Sequence, residues 1–403
     1  AAAPAAAPAP VPAPAGPAAA PAGASVDIGG WLVFNSFFNW GGTNSVDLPQ
    51  RAAGPQREIA SSMQVRQSRV RAVLGLPGGG LLGDAKLKGL VELDFMGGAV
   101  GGDQSLPLVR FRHGWVAATW KDLGNLTLTV GQTWGVFTGP YFAQSLGHLA
   151  VPRFAGAGFL FRRAPQVRLS GDTGGEVGFQ WAVAALAPMD KAAAGGAVAS
   201  GAAVGERSGM PDVEARVAAV VRSNKRPVAE VGLSMHLGQD RYLTGSGATL
   251  GNQSVFSSGL SVDAKLDAGP VTLLGAAFTG TDLDILNTAA PGVRSTTSGG
   301  VLTGVKGVTT EGGWAQLQYQ ATPVLQLLAG AGLERPRTRS LPAPAAGSTV
   351  IRRNAQVSGG VVVSLTPKWR AACELTHYQT TYNDTAASLF KSTQAEVSTL
   401  YAF

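Results

Sequence analysis

The chain has 403 residues and a formal charge of +7, yet only 14% of its residues are charged and 55 are glycine. A soluble protein carries roughly 25% charged residues and about 7% glycine, so this composition speaks against an ordinary globule. No apolar-looking stretch suffices for a helix across the ~30 Å hydrocarbon core. The longest, Ala192–Gly205, is short and built chiefly of small residues. What remains is a soluble all-β protein or a membrane barrel, because a closed barrel is the one alternative to helices that pairs every backbone group in lipid.

The single cysteine, Cys373, excludes an intramolecular disulfide. With four scattered histidines (His113, His148, His236 and His377), no metal site, cofactor or catalytic centre is expected. Basic residues occur singly or in pairs rather than as a stripe or tail, so no nucleic-acid partner is expected either. An opening residue of Ala1 suggests that an export signal has been removed. Residues 1–24 form an alanine-proline tract without charge, which predicts a disordered, semi-rigid linker.

From residue 25 onward, segments of alternating polarity follow one another. Strands are predicted at 26–40, 61–74, 85–97, 107–120, 124–136, 157–170, 175–188, 211–223, 227–238, 256–267, 270–281, 309–321, 323–334, 350–365, 368–381 and 391–403. The connections alternate between long (41–60, 98–106, 137–156, 189–210, 239–255, 282–308, 335–349 and 382–390) and short. Most short ones carry the glycine, proline, asparagine or aspartate of tight turns. Sixteen strands with long loops at one end and short turns at the other predict an all-β, 16-stranded antiparallel transmembrane barrel over 25–403. Side chains alternate across a strand, so Lys86, Lys88, Glu92 and Asp94 share one face and Leu87, Val91, Leu93 and Phe95 the other. The recurrence of this pattern, without helices to cover a second face, predicts an apolar outside and a polar lumen.

Three local patterns carry little weight. Gly78–Gly83 fits a dinucleotide fingerprint but opens no predicted helix. Ser388–Lys391 fits S-x-x-K without companion motifs. Asp282 and Asp284 could hold a cation in a long loop.

The C-terminus, with Phe403, Tyr401 and Thr399 on one face, resembles the assembly signal of bacterial outer-membrane proteins. Sixteen strands resemble the general trimeric porins. Within these, Gln67–Arg69, Arg110–His113, Gly131–Trp134 and Arg163–Arg168 are similar to segments of the DcaP-like porins. The resemblance implies a location in the outer membrane of a Gram-negative bacterium, with both termini periplasmic. It also implies a homotrimer, contact with outer-membrane lipid and lipopolysaccharide, and handling by the barrel-assembly machinery. It further implies small organic anions such as dicarboxylates as solutes, and a third loop, here about 138–156, folded into the channel. DcaP-like porins typically begin with a coiled-coil extension, which the alanine-proline tract replaces here, so bracing by such a helix is not expected.

Pore-lining candidates follow from the face assignment: Arg69, Arg71, Lys86, Lys88, Arg110, Arg112, Arg162, Arg168, Glu92 and Asp94, with Arg216, Lys265, Arg352 and Arg370 further round. The third loop holds His148 and Arg153 and no acid, which predicts a positive constriction and a preference for anions. Trp31, Phe34, Phe37, Phe38, Trp40, Trp115, Trp120, Trp134, Trp181, Trp314 and Trp369 are assigned to interfacial girdles or subunit contacts, and His113 and His377 to the outer face. A non-enzymatic diffusion channel is thus the leading expectation; the alternative is a structural or adhesive barrel whose loops or N-terminal arm bind partners.

Overall fold

A computed structural model describes residues 23–54, 57–98, 107–189, 202–245 and 251–403. Nearly all of the tract assigned as a linker, 1–24, and most of the 192–205 stretch lie outside these. The elements in chain order are β1 (Ser25–Trp40), β2 (Ile59–Gln64), β3 (Arg69–Leu76), β4 (Lys86–Asp94), β5 (Arg110–Trp120), β6 (Leu126–Trp134), β7 (Arg163–Asp172), β8 (Val177–Leu186), β9 (Asp212–Ser223), β10 (Arg226–Thr244), β11 (Gly251–Ala268), β12 (Val271–Thr281), β13 (Val293–Ser298), β14 (Val301–Gly307), β15 (Thr309–Gln320), β16 (Leu325–Pro336), β17 (Ile351–Ser364), β18 (Trp369–Tyr382) and β19 (Leu389–Ala402).

Each wall strand pairs antiparallel with its neighbours in sequence, and β1 pairs with β19 from Trp31↔Ala402 to Trp40↔Thr393, which closes the sheet. Beyond the last paired residue, Gly30 and Phe403 exchange backbone hydrogen bonds of 3.3 and 3.2 Å. β2 and β3 both pair with β1 and form the two halves of one stave. β13 and β14 make a separate hairpin outside the wall. The wall therefore has sixteen staves, with both ends of the barrel domain at the short-turn rim. Among the described residues no helix is long and apolar enough to cross a membrane.

Turn chemistry fixes the short ends. Asn224 and Lys225 both have positive φ (50° and 65°) between the paired residues Ser223 and Arg226. A two-residue turn of this kind matches the right-handed twist of its flanking strands. Gly78–Gly83 holds only a 3-10 turn, Gly80–Leu82, between β3 and β4.

Alternation sets the two faces. Along β9 the residues Asp212, Glu214, Ala218 and Val220 are buried while Val213, Val217 and Val221 are exposed. The same holds round the wall, with Val91, Val167, Leu233, Leu260, Leu375 and Val397 exposed on the outside. A soluble protein does not leave so continuous an apolar surface to water; hydrocarbon covers it in a transmembrane barrel.

Two connections differ from expectation. The predicted loop 239–255 is largely paired strand, since β10 and β11 stay in register from Gly238↔Ser257 to Thr244↔Gly251. The predicted loop 282–308 contains β13 and β14. The reason is a small apolar cluster above the rim, in which Tyr242 and Val255 pack with Val204, Leu302 and Val305. Glycines and polar residues at 238–253 hid that continuity in the sequence.

Val91→Arg places a charge on the outer face and is expected to cost about 2–4 kcal/mol near the bilayer midplane. The urea midpoint of the lipid-reconstituted protein checks this, and an unchanged midpoint contradicts the face assignment.

Candidate functional site

The connection from β6 to β7, residues 135–162, turns inward. Its neck is closed by a 2.9 Å hydrogen bond from the Gly135 amide to the Arg162 carbonyl. From there it runs along the inside of the wall and is pinned by polar side chains from strands far apart in sequence. The Glu214 carboxylate on β9 accepts the Val136 and Phe137 amides at 2.6 and 3.0 Å. On β15, Gln316 accepts the Gln144 amide at 2.7 Å and donates to its carbonyl at 2.8 Å. Glu374 on β18 accepts the Ser145 hydroxyl and the Leu146 and Gly147 amides at 2.9, 3.0 and 3.0 Å. Gln67, between β2 and β3, donates to the Gly147 carbonyl at 2.6 Å and accepts the Leu149 and Ala150 amides at 2.8 Å each. Gln356 and Asn354 on β17 donate to the Ala155 and Gly156 carbonyls at 3.0 and 2.7 Å.

These bonds satisfy a backbone that has no ladder of its own, and a buried backbone group without a partner is costly. Apolar contacts complete the seal. Ala143, Phe154, Phe159 and Phe161 pack on Leu274 and Trp314, and Leu146 packs among Val33, Leu328, Val362 and Leu400. Gly147 approaches the wall so closely that an added Cβ would collide with the Glu396 carboxylate.

His148 and Arg153, expected as the positive face of the constriction, are instead buried against the wall. Arg153 is 1% exposed; it donates to Thr376 at 2.7 Å, to Glu374 at 3.2 Å and to Glu396. Burial alone would lower its pKa, but Glu396 and Glu374 hold it raised. His148 lies 3.8 Å from Glu396, and its pKa is held well below 6.5 by burial and by Arg153. It is neutral. The loop carries no acid of its own, and its cations pair with wall carboxylates rather than facing the passage.

A second group of cations stands on β3, β5 and β7 beside Glu92 and Asp94, with Arg110, Arg69 and Arg163 half-buried and Arg112 buried among them. Arg110 and Arg112 on β5 reach Asp94, at 2.6 and 2.8 Å, and Arg112 also bonds Glu92 at 2.8 Å. Arg69 on β3 lies 3.4 Å from Glu92, stacks over Trp31 and donates to the Leu149 carbonyl. Arg163, the first residue of β7, stacks 4.8 Å from the Trp134 ring centroid and lies within electrostatic range of Arg69, Arg110, Arg112 and Asp94. Four guanidinium groups thus surround two carboxylates, so the cluster is net positive. Arg71, Lys86 and Lys88 are exposed on the lumen-facing parity of β3 and β4, nearer the short-turn rim. Arg168 borders a cavity of about 560 Å³ lined also by Trp134, Phe142, Trp181 and Arg216.

Several assignments change. Arg162 is buried at the neck, where it bonds Asp212 at 2.6 Å and the Ala187 carbonyl; Arg163 takes the lumen position. The sequence gives no signal for this, because strict alternation from Arg168 would turn Arg163 outward; in the structure it stacks on Trp134, which packs on the loop's Phe142 and Phe161. His113 is buried and faces inward, 3.2 Å from Thr133. A bulge where Glu92↔His113 is followed by Leu93↔Phe111 shifts the alternation of β5 by one. His377 remains on the outward parity, bonded to Thr393 at 3.0 Å. Arg352 is the extra residue of a bulge at the rim and is exposed. Lys265 pairs with Asp267 at 2.7 Å. Phe34, Phe38, Trp40 and Trp369 are exposed on the outside and Trp181 keeps the outward parity of Phe179 and Val183, but Trp31, Phe37, Trp134 and Trp314 face inward, because the loop brings apolar packing into the lumen.

His236 sits between Glu214 (3.3 Å) and Ser257 (3.1 Å), in the order of an acid–base–nucleophile triad. The group is sealed: His236 and Glu214 are 0% exposed, the Ser257 hydroxyl donates to the Asp282 carbonyl at 2.5 Å, and Glu214 holds the loop. It braces the loop rather than presenting a nucleophile. Among the described residues no group of three or more His, Cys, Asp or Glu could hold a metal ion.

No protein-family model matches the sequence, and no curated protein does. Among solved structures, the outer-membrane channel DcaP of Acinetobacter baumannii is similar at a TM-score of 0.69 and 14% identity, covering 95% of this chain and 99% of its own. An anion-selective porin from Comamonas acidovorans follows at 0.56 and 14%, covering 94% and 100%, and OprB of Pseudomonas putida at 0.55 and 11%, covering 94% of each. The chain shares the 16-stranded porin fold.

Arg153→Met leaves Glu374 and Glu396 buried without their counter-ion. The expected loss is about 3–5 kcal/mol, with a larger single-channel conductance as the loop loosens; urea unfolding and bilayer recordings check both. His148 is protonated more readily in the unfolded chain than in the folded one. The stability linked to it is therefore complete above about pH 6.5 and is lost progressively as pH falls below that value. His148→Gln is expected to flatten this part of the acid-denaturation profile.

Proposed function

We propose that the barrel is a passive outer-membrane channel for small hydrophilic solutes and that it favours anions, especially small carboxylates such as dicarboxylates. One observation supports the anion preference most directly: the loop's buried cations Arg153 and Arg162 are spent on Glu374, Glu396 and Asp212, while Arg69, Arg110 and Arg163 stand toward the lumen around the buried Arg112 with only Glu92 and Asp94 among them. A like-signed wall raises the local concentration of counter-ions, and guanidinium forks suit carboxylates. Arg71, Lys86, Lys88 and Arg168 extend the positive wall, so that an anion passes from cation to cation instead of meeting one deep well.

In this reading the long loops face outward, both termini are periplasmic, and the outer-membrane barrels assemble as homotrimers in lipid and lipopolysaccharide. Tyr401 and Phe403, exposed beside the closing seam, serve as the assembly signal. The similarity to a channel and to an anion-selective porin supports the same view. An adhesive barrel is the second reading, favoured by the folded platform that β10, β11, β13 and β14 build above the rim.

Planar-bilayer recording separates the two. Stable conductance steps with anion-preferring reversal potentials in a KCl gradient, and current noise on adding succinate, are expected of the channel; a folded, inserted protein without conductance overturns it. Arg163→Ala is expected to reduce the anion-to-cation permeability ratio by about fivefold, the effect of one unit charge at about 4 Å in a water-like dielectric. An unchanged reversal potential in this variant removes Arg163 from the selectivity wall.

A further inference from the structure

Two other segments fold in over the long-loop mouth, and they meet above the inward loop. The first is the connection from β1 to β2. Its Gln50 carbonyl accepts the side-chain amides of Asn354 and Gln356 on β17 at 2.8 Å each. Ala52 donates its amide to Thr380 at 3.0 Å and accepts the Tyr382 hydroxyl at 3.1 Å, both on β18. Arg51 stands between these anchors, with its own amide bonded to the Asn44 side chain at 3.0 Å. The second segment follows β12. There Asp284–Leu286 form a 3-10 turn that ends on Asn287. The Asn287 side chain donates to the Phe161 carbonyl of the inward loop at 2.8 Å, and the Ala289 amide donates to Glu334 at 2.6 Å. Gly156 of the inward loop lies against both segments: an added Cβ would sit 3.5 Å from the Cβ atoms of Gln50 and Ala289.

Between the two segments is a cavity of about 420 Å³, whose lining includes Gln50, Arg51, Asp284, Asn287, Thr288 and Thr349. That size falls within the range of small-molecule sites, about 300–1,000 Å³. None of its lining residues belongs to the cluster round Glu92 and Asp94. Charge is divided across it, because the β1–β2 connection contributes a cation and the segment after β12 an acid. Arg51 is half-buried, and among the described residues no carboxylate forms an ion pair with it. The braced backbones fix where the two charged side chains start, which lowers the ordering cost of binding. A simple anion would gain Arg51 but meet Asp284 as a like charge, and a simple cation would meet the reverse. A molecule that carries both charges gains from both.

We propose that this cavity binds a small zwitterion of the free α-amino acid class, with its carboxylate on the Arg51 guanidinium and its ammonium on Asp284. A guanidinium fork suits the carboxylate. The site goes beyond the anion preference of the passage and does not depend on it.

The test is saturation-transfer NMR on the full refolded chain in detergent micelles at neutral pH, a readout that needs no conductance. Isotope-labelled L-alanine is the reporter. Glycine, also a zwitterion, should displace it. Propionate, which lacks the ammonium, and L-alanine methyl ester, which lacks the carboxylate, should each need about fivefold more, the effect of one unit charge at about 4 Å in a water-like dielectric. Arg51→Gln should weaken alanine binding by about the same factor. Asp284→Asn should weaken it likewise and should let propionate displace alanine as well as glycine does, a reversal that a distorted chain would not give. Lys225→Ser, in the tight turn at the opposite rim, should bind as the parent chain does. The ranking of competitors on the parent chain decides the matter even where a variant refolds poorly. Alanine that does not bind, alanine displaced equally by propionate and glycine, or an Arg51→Gln variant that binds like the parent overturns the proposal.

Discussion

Hydrocarbon offers no partner for a backbone amide or carbonyl, so a wall built of strands must bond to itself all the way round. The seam between β1 and β19 meets that requirement, and much else follows from it. A closed ring of neighbours in sequence order has room for tight turns at one rim and long excursions at the other. It also forces one parity of every strand into lipid and the other into an enclosed space. Composition adjusts accordingly: valine and leucine face outward, and acids, arginines, glutamines and asparagines face inward.

An enclosed polar space sixteen strands across is too wide to discriminate, and the chain narrows it with its own loop. Holding residues 135–162 inside the barrel costs backbone entropy and removes their polar groups from bulk water. The wall offsets this with carboxylates and amides placed to receive them: Glu214, Gln316, Glu374, Gln67, Asn354 and Gln356. Glu374 and Glu396 are buried acids that need a cation, and Arg153 is that cation. The loop's two arginines are thus spent on wall carboxylates, and the cations left toward the passage are those around Glu92 and Asp94.

The architecture was largely legible because period-two alternation and turn residues are local signals. They placed all sixteen staves and identified Val91 as outward and Glu92 as inward. Legibility failed where alternation was broken or extended. The bulge at Arg112 reversed His113, and the apolar cluster around Tyr242 lengthened a hairpin that its glycines disguised. The lumen was harder to read, because which inward group meets another depends on a loop whose path no periodicity encodes. Arg153 reads as a free cation until Glu374 and Glu396, more than two hundred residues away, are seen beside it. Trp134 and Trp314 read as interfacial until the loop's phenylalanines are found packed on them.

The break between β2 and β3 carries Gln67 out of the ladder and into contact with the loop, and it bears on the order of assembly. Besides Glu214 and Gln316 in mid-chain, the loop's anchors come from both ends: Asn35 and Gln67 near the start, Glu374 and Glu396 near the finish. Asn35 also bonds Ser398 across the seam, 363 positions away in sequence, at 2.7 Å. In an unclosed sheet those two groups of anchors are apart, and the loop has only half its seat. Docking of the loop and closure of the wall are therefore coupled steps, and both wait on contacts of high sequence separation, which form slowly. A barrel that has not finished zipping is also one that has not yet been narrowed, so leakiness and incomplete folding share a single cause.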